Sequence, residues 1–187
     1  VWDVHYNIAP SEPGGHFLLV PEISIPSNRR QQKLLPSDCS DIVELGRACE
    51  GELCFNYNSP NAGASQNHLH LHAWVVPTPY AVTTRPVLPD STVTLFDGAV
   101  EASVLDWPAA CVRVRGGTSE QGGAVLSALC HEVPTHNIVV LGGDAYAFLR
   151  AVDGEVSDGV PFLKMGACQL LGHFIVDTNA QFDAASR

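Results

Sequence analysis

Three of the eight histidines in this 187-residue chain stand at alternate positions, His68, His70 and His72, inside the run Ser65-Gln66-Asn67-His68-Leu69-His70-Leu71-His72-Ala73-Trp74-Val75. Histidine alternating with apolar residues has the period of a strand. All three imidazoles are therefore predicted on one face, with Leu69, Leu71 and Ala73 on the buried other. An amide- and glycine-rich run, Asn61-Ala62-Gly63-Ala64-Ser65-Gln66-Asn67, leads into that strand. Such a run lets backbone N–H groups approach an anion closely. Imidazoles beside an anion cradle point to phosphate chemistry. A metal site is the competing reading, because imidazole is a common zinc ligand. However, three histidines on one straight strand span about 13 Å, too far for one compact tetrahedron. No Cys-x-x-Cys pair is present to complete a ligand set. The site is expected to use neither metal nor cofactor.

These residues carry a resemblance. His68-Leu69-His70-Leu71-His72 is similar to the motif of the histidine-triad superfamily, His-x-His-x-His in its hydrolases and His-x-His-x-Gln in its transferases and phosphorylases. Upstream, the stretch from Tyr6-Asn7-Ile8-Ala9-Pro10 to Gly15-His16-Phe17-Leu18-Leu19-Val20-Pro21 resembles that superfamily's Asn-x-x-Pro…Gly-His-x-Leu-x-Val-Pro segment. Tyr57-Asn58-Ser59 and Asn67-His68-Leu69-His70 resemble the branch of GDP-hexose phosphorylases, the GDP-L-galactose and GDP-D-glucose type. Thr135-His136-Asn137-Ile138-Val139-Val140, Ala147-Phe148-Leu149 and Leu171-Gly172-His173-Phe174-Ile175-Val176 extend the likeness through the carboxyl-terminal third.

The resemblance implies a mechanism that suits the residues. The middle histidine, His70, attacks the α-phosphate of a nucleotide and forms a covalent nucleotidyl-histidine. A neutral imidazole is a competent nucleophile near pH 7. In the family a backbone carbonyl holds the other ring nitrogen and so fixes the tautomer. His68 resembles the first triad histidine, which orients the phosphate site. Ser65, Gln66 and the backbone around Gly63 would donate to phosphoryl oxygens as charge develops on them. Asn58 matches a family position near the ribose and phosphate. Nucleotide-sugar and phosphate are the implied partners. His72 departs from the branch, which has glutamine there. Histidine is the hydrolase spelling and can donate a proton to a leaving group, so phosphate and water both stand as acceptors. Phosphorylases of this branch are also longer, with part of the nucleotide pocket upstream. The chain opens at Val1-Trp2-Asp3 rather than at methionine, which implies processing or a missing start. A non-catalytic accessory subunit derived from such an enzyme is the alternative from another class.

Composition sets outer limits. Apolar residues make up 45% and charged residues 16%, as in an ordered globular domain whose surface is partly covered, in a homodimer or a larger protein assembly. The formal net charge of −10 repels nucleic acid and anionic membranes. No stretch reaches the roughly 18–20 apolar residues of a transmembrane helix, and Trp2, Asp3 and His5 interrupt any signal-like run. Six isolated cysteines read as buried free thiols, with a preference for a reducing intracellular compartment.

The elements that must position the histidines read as two related halves, 1–80 and 81–187, packed as one unit. In the first, strands are predicted at 3–9, 16–20, 52–57 and 68–76, with a helix capped by Ser37 and running to Cys49. Arg29-Arg30-Gln31-Gln32-Lys33 reads as a solvated basic patch. Pro77, Pro79, Arg85-Pro86 and Pro89 read as a linker. In the second, strands are predicted at 92–96, 111–114, 137–141, 145–150 and 170–176, with a helix from a Ser119 cap to Cys130. The expected class is α+β, histidine-triad-like, a mainly antiparallel sheet with flanking helices.

Overall fold

Alternating apolar residues from eight strands of a nine-stranded sheet meet two helices on one side of it. The computed structural model describes residues 1–8, 10, 12, 14–22, 24–76, 78–150, 156–157, 160–173 and 180. Strands β1 (Trp2–Tyr6) and β2 (His16–Pro21) precede helix α1 (Pro36–Ala48), and β3 (Leu53–Asn58) and β4 (Leu71–Val75) follow it. Then come β5 (Val87–Leu95), β6 (Val100–Leu105), β7 (Cys111–Gly116), helix α2 (Ser119–Glu132), β8 (His136–Leu141) and β9 (Asp144–Leu149). A hairpin of β10 (Val156–Ser157) and β11 (Val160–Lys164) and one helical turn, α3 (Ala167–Leu170), complete the described elements. The sheet order is β1-β2-β4-β3-β8-β9-β7-β6-β5, and every described pairing is antiparallel. The fold is the expected α+β.

Residues 2–75 and 100–149 share one connectivity. Each runs strand, strand, helix, strand, strand, and in each the last strand lies between the second and the third. The two sets meet at the sheet centre, where β3 pairs with β8, Cys54 opposite Leu141 and Asn58 opposite Asn137. On the helix side, Ile42, Val43 and Leu126 pack onto Phe55, Leu71, Ala73, Ile138 and Val140. A second core on the opposite face joins Cys54, Trp74, Val139 and Phe148 to Tyr80, Val82, Leu105, Leu170 and Leu171. No helix among the described residues is long and apolar enough to cross a membrane.

Several sequence expectations need correction. Ser37 and Ser119 do not cap. The α1 cap is Leu35, whose N–H donates to the Asp38 carboxylate at 2.7 Å. Thr118 caps α2, exchanging hydrogen bonds with Gln121, the reciprocal pattern of a capping box. The Arg85–Pro89 linker is partly strand, since β5 begins at Val87. Pro89 is tolerated because β5 is an edge strand with a break in register between Val87 and Thr92. β6 was not anticipated. The predicted strand from Leu170 begins instead as the end of α3, stopped by Gly172 at φ +86°. Residues 174–176 of that prediction lie outside the described residues.

Candidate active site

The period-two reading of the triad segment holds at the level of faces. Leu69, Leu71 and Ala73 are buried in the helix-side core, so His70 and His72 face the other way. Regular pairing starts only at Leu71, and His68 and His70 lie on the irregular approach. The His70 and His72 rings meet edge to face, centroids 5.1 Å apart.

The His70 ring is oriented by its own chain. Its Nδ1 lies 2.7 Å from the His68 carbonyl oxygen. A carbonyl only accepts, so Nδ1 carries the hydrogen and the lone pair of the neutral ring sits on Nε2. Among the described residues no hydrogen-bond partner reaches Nε2. Burial lowers the pKa of His70, while the bond to the His68 carbonyl works against that shift and the nearby His68 ring adds to it. Desolvation disfavours the imidazolium, so the ring is neutral at physiological pH.

His16 joins this pair from the neighbouring strand. In the β2–β4 ladder Leu18 faces His72 and His16 faces Trp74, which sets His16 diagonal to His72 on the same face. His16 Nε2 is 2.9 Å from His72 Nδ1. His16 is only 3% exposed and stands edge-on to Trp74. Burial pushes the His72 pKa down to about 3, helped by repulsion from His70 and His16, and burial lowers His16 as well. The three rings thus form a neutral, contiguous run. In the sequence His16 stands only within the Gly15–Pro21 segment that carries the resemblance. Its part in the cluster depends on strand pairing across 56 residues, although Gly15-His16 at a strand start was a usable signal.

The other candidates occupy two settings. Ser65 and Gln66 are exposed in the bend before His68, beside Asn67. Gly63 adopts φ +94°, and a Cβ there would come within 3.2 Å of Gly166 Cα. The position therefore needs glycine for both conformation and space. Asn58 closes β3, and its Oδ1 accepts from Asn137 Nδ2 at 2.6 Å and from the Ala167 N–H at 3.0 Å. Asn137, fully buried, also donates to the Ala62 carbonyl at 2.7 Å. Asn58 thus ties the triad approach to β8 and α3.

The basic run 29–33 is not a solvated patch throughout. Gln32 is 1% exposed, and its side chain reaches the backbone of both Asn58 and His70. Arg30 grips the Asp38 carboxylate with two hydrogen bonds of 2.7 and 2.8 Å. Neither contact is legible in a polar pentapeptide. Among the described residues no group of three or more His, Cys, Asp or Glu is arranged to hold a metal ion. A hollow of about 460 Å³ lies away from the triad, on the helix side, lined by Leu95, Phe96, Ala102, Val125 and Leu129.

No family model matches the chain. GDP-L-galactose phosphorylase 1 of Arabidopsis thaliana is 25% identical over 98% of the chain, which spans 43% of that protein's length. Yeast Ap4A phosphorylase Apa2 has the same fold. In its complex with AMP it superposes with a TM-score of 0.70 at 16% identity, covering 99% of this chain and 68% of Apa2. In its complex with Ap4A the TM-score is 0.71 at 15% identity, covering 97% and 67%. The chain resembles the GDP-hexose phosphorylase-like branch of the histidine-triad superfamily.

Proposed function

We propose that the chain carries the nucleotidyl-transfer site of a phosphorylase acting on a nucleoside diphosphate hexose of the GDP-hexose type. His70 Nε2 attacks the α-phosphorus. A P–N bond forms, the P–O bond to the β-phosphate breaks, and hexose 1-phosphate leaves. Inorganic phosphate then attacks the same phosphorus, breaking the P–N bond and releasing the nucleoside diphosphate. The observation that carries this reading is the Nδ1–H bond from His70 to the His68 carbonyl, which directs the lone pair to Nε2.

The state of His72 favours phosphate over water as acceptor. With its pKa pushed to about 3, His72 holds no excess proton at neutral pH to hand to a leaving group. It is then an uncharged hydrogen-bonding group, as the amide of the branch's usual glutamine would be. Ser65, Gln66 and the backbone around Gly63 are the proposed donors to the phosphoryl oxygens, with His68 orienting the site. The likeness to Apa2, whose structures hold AMP and Ap4A, supports a nucleotide as the ligand class. The shared connectivity of 2–75 and 100–149 supports reading 1–80 and 81–187 as diverged copies of one unit.

The test is incubation of the wild type and His70→Ala with GDP-, UDP- and ADP-hexoses, with and without phosphate, followed by intact mass measurement. The wild type alone should gain one nucleoside monophosphate, and phosphate should discharge it. No adduct and no turnover with any donor would transfer the reading to the accessory subunit.

A further inference from the structure

The β3–β4 ladder ends one rung early. Asn56 pairs with His72, and the same antiparallel register carried two residues further would set Asn58 opposite His70. A side chain from a different segment stands in that gap. Gln32 Oε1 accepts the His70 N–H at 2.9 Å. Gln32 Nε2 donates to the His70 carbonyl at 3.1 Å and to the Asn58 carbonyl at 2.9 Å. One carboxamide thereby supplies the acceptor and the donors that a strand would have supplied. From the structure we infer that Gln32 is the positioning residue of the nucleophile, fixing the main chain of His70 and hence the heading of its ring.

The chemistry of the slot admits little else. It needs one acceptor and two donors within a few ångströms, at a position 1% exposed. A carboxylate lacks the donors, lysine and arginine lack the acceptor, and an apolar side chain leaves three buried main-chain groups unmet. Gln32 is itself held in place. Its carbonyl accepts from Tyr57 Oη at 2.9 Å and its N–H donates to Asn67 Oδ1 at 3.3 Å. Two residues upstream, the Arg30 carbonyl accepts the Leu69 N–H at 3.0 Å, while the Arg30 side chain is anchored on Asp38. The 30–32 segment therefore runs beside 67–70 as a splint. The bond from the His70 ring to the His68 carbonyl spans this same stretch of main chain, so it forms only while the splint holds 68–70 in place.

This inference rests on the reading of His70 as nucleophile, and its test separates the two. Gln32→Leu and Gln32→Glu are prepared in the full chain with 15N-labelled histidine. The His70 tautomer is read from long-range 1H–15N correlations, assigned with His70→Ala. The wild type should show hydrogen on Nδ1. In Gln32→Leu that preference should be lost. In Gln32→Glu it should be lost at pH 8.5, where a carboxylate faces two carbonyls, and return at pH 6.0, where the protonated acid regains one donor. The rate of adduct formation with saturating GDP-glucose should fall about a hundredfold in Gln32→Leu, with donor affinity changed less than about threefold. It should fall similarly in Gln32→Glu at pH 8.5 and recover at least about tenfold at pH 6.0. A purely structural role would lower donor affinity along with the rate. Wild-type tautomer and rate in Gln32→Glu at pH 8.5 would overturn the inference. Should the wild type form no adduct, the nucleotidyl reading fails and the tautomer alone judges Gln32. Should Gln32→Leu fail to fold, Gln32→Glu decides.

Discussion

His72 should make the fold acid-labile in a defined pH window. Its pKa is about 3 in the folded chain and about 6.5 when unfolded. Between those values the unfolded chain binds a proton that the folded chain refuses, so stability rises with pH there. The contribution is fully present above about pH 6.5. It is lost progressively as pH falls toward 3, at about 1.4 kcal/mol per pH unit. From pH 7 to 4.5 the loss from this one group is about 2–3 kcal/mol. Aspartates and glutamates also titrate over this range, so the comparison is with His72→Gln, which keeps the size and a hydrogen-bonding amide without a titrating ring. The assay is urea unfolding at half-unit pH steps, followed by the fluorescence of Trp74 and its fellow tryptophans. The stability difference between wild type and variant should shift against the wild type by about 2–3 kcal/mol on acidification. A difference that stays flat from pH 7 to 4.5 would refute the buried, neutral state of His72. The same result would remove the argument that it mimics the branch's glutamine.

Three further outcomes follow from the geometry. His70→Ala should abolish nucleotidyl adduct formation outright, read by intact mass, while urea unfolding at pH 7 reports a folded chain. Gly123 lies where α2 crosses α1, and a Cβ there would come within 2.6 Å of the Ser40 backbone nitrogen and Cα. Alanine should therefore cost about 1–3 kcal/mol by overpacking. Its neighbour Gly122 meets only Val43 methyls at 3.5 Å or more, so alanine there should be neutral or stabilising by up to about 1 kcal/mol. Equal effects at the two positions would contradict the helix crossing. Asn137→Ala removes the donor to Asn58 Oδ1 and to the Ala62 carbonyl in a fully buried site. It should destabilise by about 2–4 kcal/mol in urea titration, and a cost below about 1 kcal/mol would show that these acceptors find other partners.

Local chemistry determined a good part of this protein from its sequence. The period-two run set Leu69, Leu71 and Ala73 on the face opposite His70 and His72, although regular pairing begins only at Leu71. Apolar content and turn signals set the class, and helices appear within a residue or two of their predicted bounds at 36–48 and 119–132. The family resemblance implied a backbone carbonyl on one ring nitrogen of His70, and the His68 carbonyl takes that place. Tertiary structure alone decided the rest. Long-range pairing brought His16 to His72, and nothing local in the sequence marks a partner 56 residues away. Edge position, not composition, lets Pro89 lie within a strand. Gln32 sits in a segment that reads as solvated, yet it is enclosed because the β3–β4 ladder needs an acceptor and donors where the two strands part. Sequence records which groups can form hydrogen bonds, but only the packed chain determines which of them must.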